Sequence, residues 1–192
     1  EGKKKKKSKP KLTMMESFKV LSRSRYLGYM TCLVVSYGLA INFTDILFKS
    51  MLRMSHPEPV DYQRFMAKFS STLGCTTFLV IILGANIINH LGWTIGAFVT
   101  PTVMAAVGVP FFITIIMSSR SLDNASLASM AVMFGAVQTI LSKATKYAVF
   151  DPTTQMAYIP LDEDSKVKGK AAIDVLGSRL GKSGGSLLQQ VL

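Results

Sequence analysis

The chain divides into long apolar stretches separated by short polar ones. Residues 26–44 contain no Asp, Glu, Lys or Arg, and neither do residues 69–119 or residues 124–142. A helix crosses a bilayer with about 20 consecutive apolar residues. Because residues 69–119 are too many for one crossing, we predict two helices there, joined by a tight turn at Gly92-Trp93.

Five membrane spans are predicted from this pattern. Four come from the charge-free stretches, and a fifth apolar stretch begins at Ala171, although three charged residues interrupt it. Residues 147–170 contain two prolines and clustered charges, so they are predicted to form a polar loop. The expected fold class is an all-α polytopic membrane protein, here a fragment with about five transmembrane helices. The predicted spans are residues 26–48, 69–91, 94–117, 124–146 and 171–192.

Composition supports a membrane protein and adds a basic N-terminal arm. Hydrophobic residues make up 49% of the chain, yet its formal net charge is +11. Residues 1–25 hold ten Lys and Arg residues, and the consecutive lysines repel one another, so this arm is predicted to be a basic, solvent-exposed linker. The alternative is that this basic arm binds nucleic acid. Lysines just before an apolar span are more typical of the cytoplasmic flank of a membrane protein, so no nucleic-acid partner is expected.

The sequence offers no pattern for covalent chemistry or metal binding. The two cysteines and the two histidines are scattered rather than clustered, so no metal, cofactor or catalytic residue is expected, and the chain is not predicted to be an enzyme. Gly181-Lys182-Ser183 resembles the end of a phosphate-binding loop, but that motif needs glycine at residue 176, which is Leu176. A soluble phosphate-loop enzyme is therefore rejected.

Charged residues within the predicted spans are the candidates for substrate binding. Asp45 and Lys49 share one face of the first span, and an interfacial ion pair explains them as well as a functional site does. Lys143 and Lys146 share a face at the end of the fourth span, where they can equally extend to the lipid surface. Lys182 lies deep in the fifth stretch, so a role in holding phosphate is favoured there.

The most distinctive string in the chain is DPTTQMAYIPLDEDSKVKGKAAIDVLGSRLGKSGG at residues 151–185. It occurs with SKATKY at 142–147, MESFKVL at 15–21 and VVSYGLAIN at 34–42. Together these segments resemble the nucleotide transporter family, the ATP/ADP translocases of plastids and of obligate intracellular bacteria. The resemblance covers nearly the whole chain and corresponds to the C-terminal half of family members. Since the chain starts with Glu rather than Met, we expect a piece of a longer transporter whose N-terminal half is missing.

The resemblance implies a twelve-helix transporter, similar in architecture to major-facilitator transporters, that exchanges ATP for ADP, with phosphate accompanying ADP in plastid members. It implies roles in transport for the acid at residue 45 and for Lys182. Residue 45 is Asp where typical plastid members carry Glu, and an acid shorter by one methylene can alter pairing or substrate preference. The implied location is multi-pass in the plastid (chloroplast) inner envelope, or alternatively in a bacterial inner membrane.

The expected function is ATP:ADP antiport by alternating access. We expect substrate contacts from Lys182 and from Lys143 or Lys146, with Asp45 balancing a lysine when the site is empty. A polyphosphate sheds water to cross a bilayer, so buried cations must replace its hydration. A nucleotide–proton symporter is the alternative within transport, and a structural membrane subunit without transport is the alternative outside it. The expected partners are ATP and ADP, phosphate, the lipid bilayer and the missing N-terminal half.

Overall fold

Helices account for nearly all of the described structure. The computed structural model describes residues 13–120 and 125–191, without the side chains of residues 85, 87, 91, 125 and 178–191. Within these ranges no strand occurs, and the prediction of an all-α polytopic membrane protein is confirmed. In chain order the helices are α1 (Met14–Ser22), α2 (Arg25–Ser55), α3 (Pro59–Arg120), α4 (Ala125–Thr145), a π-helical turn (Lys146–Phe150), α5 (Asp151–Ala157) and α6 (Glu163–Val191).

Four helical segments are long and apolar enough to span a membrane: Arg25–Ser55, Pro59–His90, Gly92–Arg120 and Ser126–Ala157. The predicted fifth span belongs to α6, and most of its side chains lie outside the described residues, so that span stays a prediction. Residues 1–12 of the predicted basic linker also lie outside the described residues. The rest of the linker differs from the prediction, because Met14–Ser22 form a helix.

A capping box begins α1. The Thr13 N–H donates to Oε2 of Glu16 at 2.8 Å, and the Glu16 N–H donates to Oγ1 of Thr13 at 3.3 Å. These two N–H groups have no carbonyl partner within the helix, and the two side chains supply the missing acceptors. Only Arg23 and Ser24 separate the end of α1 from the start of α2, so α1 lies at the end of the first span.

The connection between the first two spans is shorter than predicted. Residues 49–55 continue α2, and α3 begins at Pro59. Two residues explain the extension, because Phe48 and Leu52 are spaced one turn apart and are both completely buried. Pro59 stands at the first position of α3, where a missing N–H costs nothing.

Gly92 interrupts α3 at the predicted turn. Its φ of 83° and ψ of 172° are not helical, and this backbone conformation is open mainly to glycine. The indole Nε1 of the next residue, Trp93, donates to the carbonyl oxygen of Thr153 at 2.9 Å. The break therefore separates two span-length halves of α3 and brings the start of the second half to α5.

The segment predicted as a polar loop, residues 147–170, is helical over most of its length. Its first part continues from α4 through the π-helical turn, in which Ala148, Val149 and Phe150 are buried. These apolar residues pack on α3. Pro152 follows the π-helical turn, so the helix continues there without the N–H that would donate to the carbonyl oxygen of Ala148.

The second part of that segment forms the start of α6. Oδ2 of Asp162 accepts from the Ser165 N–H at 3.0 Å, and Lys168 pairs with Asp164 one turn earlier at 2.8 Å. Acids in a first turn favour the helix dipole, and an acid before a lysine at i, i+4 stabilises a helix. The run of acids followed by lysines is thus the beginning of a helix rather than a loop.

The described chain forms two compact units. One holds α1, the start of α2 up to Ala40, and the chain from Tyr158 onward; the other is Ile41–Ala157. In the first unit α1 packs on α6. The second unit has a core around Phe48 and Phe111, both completely buried, and it contains the polar residues described next.

Candidate functional site

Asp45 of α2 forms ion pairs with two lysines. Its Oδ1 lies 2.7 Å from Nζ of Lys143, and its Oδ2 lies 2.7 Å from Nζ of Lys49. Lys49 is one turn further along α2, whereas Lys143 belongs to the last turn of α4. The carboxylate therefore joins the two helices, and we call these three residues the Asp45 cluster.

A glycine of α4 lies against two buried rings beside this cluster. A Cβ atom at Gly135 would lie 2.8 Å from ring carbons of both Phe48 and Phe111. Such an approach is closer than real Cβ atoms make, so a larger residue would displace the two rings. Phe48 lies one turn after Asp45 on α2, and Gly135 is two turns before Lys143 on α4. The glycine contact thus helps to hold Lys143 within reach of Asp45.

The Asp45 cluster carries one more positive charge than negative. The side chains of Asp45 and Lys143 are 20% and 28% exposed, whereas Lys49 is 48% exposed. An unpaired ion at the centre of a bilayer costs about 2.5–3.5 kcal/mol on insertion scales, so mutual pairing reduces the cost of placing these charges in a span. The surplus cation makes the cluster suited to an anionic ligand.

Lys146 lies apart from the Asp45 cluster and pairs with a different acid. Its Nζ donates to Oδ2 of Asp151 at 2.8 Å and to Oδ1 at 3.2 Å. The same ammonium lies 4.6 Å from the ring centroid of Tyr147, within range for a cation–π interaction. The prediction that Lys146 shares a helix face with Lys143 assumed regular α-helical spacing. That spacing ends at Lys146, because Lys146 begins the π-helical turn. Asp151 was overlooked because the predicted loop included it.

Lys182 belongs to α6, but its side chain lies outside the described residues. Its contact with substrate therefore stays a prediction. Among the other predicted site residues, the structure brings Asp45 and Lys143 together and gives Lys146 its own ion pair.

A row of buried polar side chains on α4 was not predicted. Nε2 of Gln138 donates to the carbonyl oxygen of Met104 at 3.5 Å, whereas Oε1 of Gln138 and Oγ1 of Thr139 accept no hydrogen bond from the described residues. Thr139 lies one turn before Lys143 on the same helix. The spacing i, i+4, i+7 of polar residues in an apolar span was the signal that could have identified this row. Its members are Gln138, Thr139, Ser142 and Thr145.

Comparison with known proteins gives one consistent result. The family model described as TLC ATP/ADP transporter matches residues 1–192. A Chlamydia trachomatis relative named "ADP,ATP carrier protein 1" is 49% identical, over 97% of this chain and 37% of its own length. The Arabidopsis thaliana "ADP,ATP carrier protein 1, chloroplastic" is 46% identical over 98% of this chain and 31% of its own length. The Rickettsia bellii "ADP,ATP carrier protein 1" is 40% identical over 96% of this chain and 38% of its own length.

These relatives are all much longer than this chain, which spans about a third of their length and matches their C-terminal part. No solved structure matches the chain. Carriers of this kind, together with the four span-length helices, identify a multi-pass integral membrane protein. The predicted resemblance is confirmed over the full length of the chain. The chain belongs to the TLC ATP/ADP transporter family.

Proposed function

We propose that the full-length protein containing this chain exchanges ATP for ADP across a membrane by alternating access. The family and the names of the relatives support this proposal. Because the chain covers about a third of those relatives, the proposed activity belongs to the whole transporter. The nucleotide crosses without a change in its covalent bonds, so the protein is proposed to be a transporter and not an enzyme.

The Asp45 cluster is the observation that carries the proposal. Two lysines and one carboxylate meet between span-length helices, with both ion pairs at 2.7 Å. The phosphates of ATP and ADP are polyanions, and an anion that leaves water requires cations in its place. A cluster with a surplus lysine supplies such a cation within the membrane-spanning part of the chain.

Lys143 is the proposed phosphate contact of the cluster. Asp45 accepts a hydrogen bond from its Nζ at 2.7 Å. An ammonium has three donors, so an arriving phosphate oxygen can take one before the carboxylate releases the lysine. Lys49 lies 2.7 Å from the other carboxylate oxygen, so Asp45 stays paired while Lys143 moves to the phosphate. Because Asp45 keeps Lys49 as a partner throughout, less free energy is needed to move Lys143 from the carboxylate to the phosphate.

Lys146 and Lys182 are proposed as further phosphate contacts. Lys146 is about one-third exposed and has Asp151 as its counter-ion, so it offers the same exchange of carboxylate for phosphate. Inorganic phosphate is proposed as a co-substrate of ADP, and the rest of the full-length chain is proposed to complete the pathway. A plastid inner envelope or a bacterial inner membrane is the proposed location.

Uptake of labelled ATP by vesicles that carry the full-length protein tests this function. Vesicles preloaded with ADP are expected to take up ATP much faster than empty vesicles, because exchange requires an internal counter-substrate. Equal uptake by empty vesicles would contradict exchange. Uptake that follows an imposed proton gradient would instead favour nucleotide–proton symport. An absence of uptake in all vesicles, with correctly inserted protein, would favour a structural subunit.

A further inference from the structure

A groove lies where α1 and α2 meet the first turns of α6, within one compact unit. Its cavity is about 490 Å³, and its walls are the charged residues Arg23, Asp164 and Lys168, the hydroxyl residues Ser24 and Ser165, and the apolar residues Val20 and Leu27. Leu27 packs closely on α6, because a Cβ atom at Gly169 would lie 2.7 Å from its Cδ2 atom. We call this cavity the junction groove.

The junction groove lies at the end of a membrane span. The helix α2 begins at Arg25, and only two residues separate it from the last residue of α1, Ser22. Each residue extends the chain by at most about 3.6 Å, so α1 cannot move far from that end of the span. The groove therefore lies near the level at which lipid headgroups meet the hydrocarbon.

Part of the exposed surface of α1 is apolar. Met15 is 79% exposed and Phe18 is 65% exposed, whereas Ser17 and Leu21 are buried. Lys19 lies one turn after Met15, at the border of this apolar surface. A helix with apolar residues on one side and basic residues at their border is typical of helices that lie in the membrane interface.

The charges of the groove favour an anion. Lys168 is paired with Asp164 at 2.8 Å, which leaves the guanidinium of Arg23 as the surplus charge, and no carboxylate pairs with it in the described part of the chain. The Ser24 hydroxyl oxygen accepts from the Leu27 N–H at 3.5 Å, so its proton can be donated to a ligand. Guanidinium groups bind phosphate through two parallel hydrogen bonds.

We propose that the junction groove binds the headgroup of an anionic phospholipid. Arg23 and Ser24 hold the phosphodiester, while Met15 and Phe18 of α1 contact acyl chains. The shared ligand chemistry is a phosphate group, which a lipid and a free anion both carry. The position of the groove at the end of a span, with Met15 and Phe18 exposed on the adjoining helix, favours the lipid, since free phosphate gains nothing from these two side chains. This site is separate from the Asp45 cluster, and the proposal does not depend on which nucleotide is transported.

Lipid retention by the purified full-length protein tests the proposal. Native mass spectrometry in a mild detergent measures the binding of added phosphatidylglycerol and phosphatidylcholine. The wild-type protein is expected to bind phosphatidylglycerol more tightly. Arg23→Gln is expected to weaken that binding by roughly fivefold, since a basic residue near an anionic surface contributes about that factor. Phe18→Ser is expected to weaken retention of both lipids, because it removes an acyl-chain contact.

Arg53→Gln is the matched control, because Arg53 is an exposed arginine near the other end of α2. It is expected to leave phosphatidylglycerol binding at the groove unchanged. Equal binding of the two lipids, or the same affinity in Arg23→Gln as in wild type, would overturn the proposal. Competition by inorganic phosphate as effective as that by phosphatidylglycerol would also overturn it, since the groove would then bind a free anion. A groove covered by the rest of the full-length chain would retain neither lipid, which contradicts the proposal as well.

Discussion

The carbonyl oxygen of Ala148 lies against the Cα atom of Gly84, so closely that a Cβ atom at residue 84 would stand 2.7 Å from it. Ala148 belongs to the π-helical turn after α4, and Pro152, four residues later, has no N–H to donate to that carbonyl. Glycine at residue 84 therefore lets the first half of α3 pack directly on the irregular turn.

Gly84→Ala is expected to destabilise the full-length transporter. The added methyl meets backbone rather than a flexible side chain, so we expect a loss of about 1–3 kcal/mol, typical of overpacking. Thermal unfolding in detergent measures it as a lower Tm. Gly74→Ala is the matched control, because a Cβ atom there has no neighbour within 4 Å and alanine favours the helix. Equal values of Tm for the two variants would contradict the close packing at Gly84.

The helical, polytopic class could be predicted from sequence because hydropathy alone determines it. The irregular turn could not, because Gly84 and Ala148 are far apart in sequence and no local pattern encodes their contact. The beginning of α6 is different. The Asp162 side chain caps it, and acids followed by lysines are typical of a helix start, so this local signal was present but was interpreted as a loop.

A tyrosine outside the spans is expected to make stability depend on alkaline pH. Burial, the charge of Asp174 and the proximity of Tyr26 together raise the pKa of Tyr158 to about 12, and burial is the largest of these causes. An unfolded tyrosine ionises near pH 10. Because the folded state disfavours the phenolate, stability is expected to fall as pH rises from about 10 to about 12.

Alkaline unfolding, followed by ultraviolet absorbance of the phenolates, measures this effect. Tyr158→Phe is expected to reduce the fall in stability over that range. Tyr147→Phe is the control, because Tyr147 is 53% exposed whereas Tyr158 is 3% exposed. If both variants unfold with the wild-type pH dependence, burial of Tyr158 does not control it.

Lys143→Gln is expected to impair ATP uptake while the protein still inserts. The variant loses the proposed phosphate contact, yet Lys49 still pairs with Asp45 at 2.7 Å, so no lone carboxylate is left in the span. A hydrogen bond to a charged group contributes about 1.5–3 kcal/mol, which corresponds to a roughly 10- to 100-fold rise in KM for ATP. Uptake by vesicles at several ATP concentrations measures KM. Lys68→Gln changes an exposed lysine of α3 in the same way and is expected to leave KM unchanged.

The residues of the Asp45 cluster could be proposed from sequence, but their pairing could not. The i, i+4 spacing predicts the contact between Asp45 and Lys49. The contact between Asp45 and Lys143 depends on how α2 and α4 come together, and there Gly135 of α4 lies against the ring of Phe48 of α2. Charge in an apolar span is visible in sequence, whereas the choice of partner is a property of tertiary packing.

Lys182→Gln is expected to abolish ATP uptake if the lysine contacts phosphate. Removal of the charge leaves the polyanion without the cation at residue 182, and the neutral amide of glutamine does not replace it. Lys182→Arg keeps the charge and is expected to retain part of the uptake, although a guanidinium differs in shape from an ammonium. Uptake and the amount of inserted protein are measured together. Wild-type uptake by Lys182→Gln would remove Lys182 from the site.

Asp45→Asn tests the role of the counter-ion separately from that of the lysines. Without the carboxylate, Lys143 loses the 2.7 Å partner that competes with phosphate, so it is expected to hold phosphate more tightly and release it more slowly. Both KM and the maximal exchange rate should therefore fall, a pattern that a loss of folding would not produce. Asp45→Glu keeps the charge and is the matched control.

The double variant Asp45→Asn/Lys143→Gln completes the cycle. If the carboxylate acts through Lys143, its removal should have little further effect once that lysine is gone, and the two single effects should not add. Additive effects would mean that Asp45 acts on another group, and exchange kinetics unchanged in Asp45→Asn would exclude a counter-ion role for it.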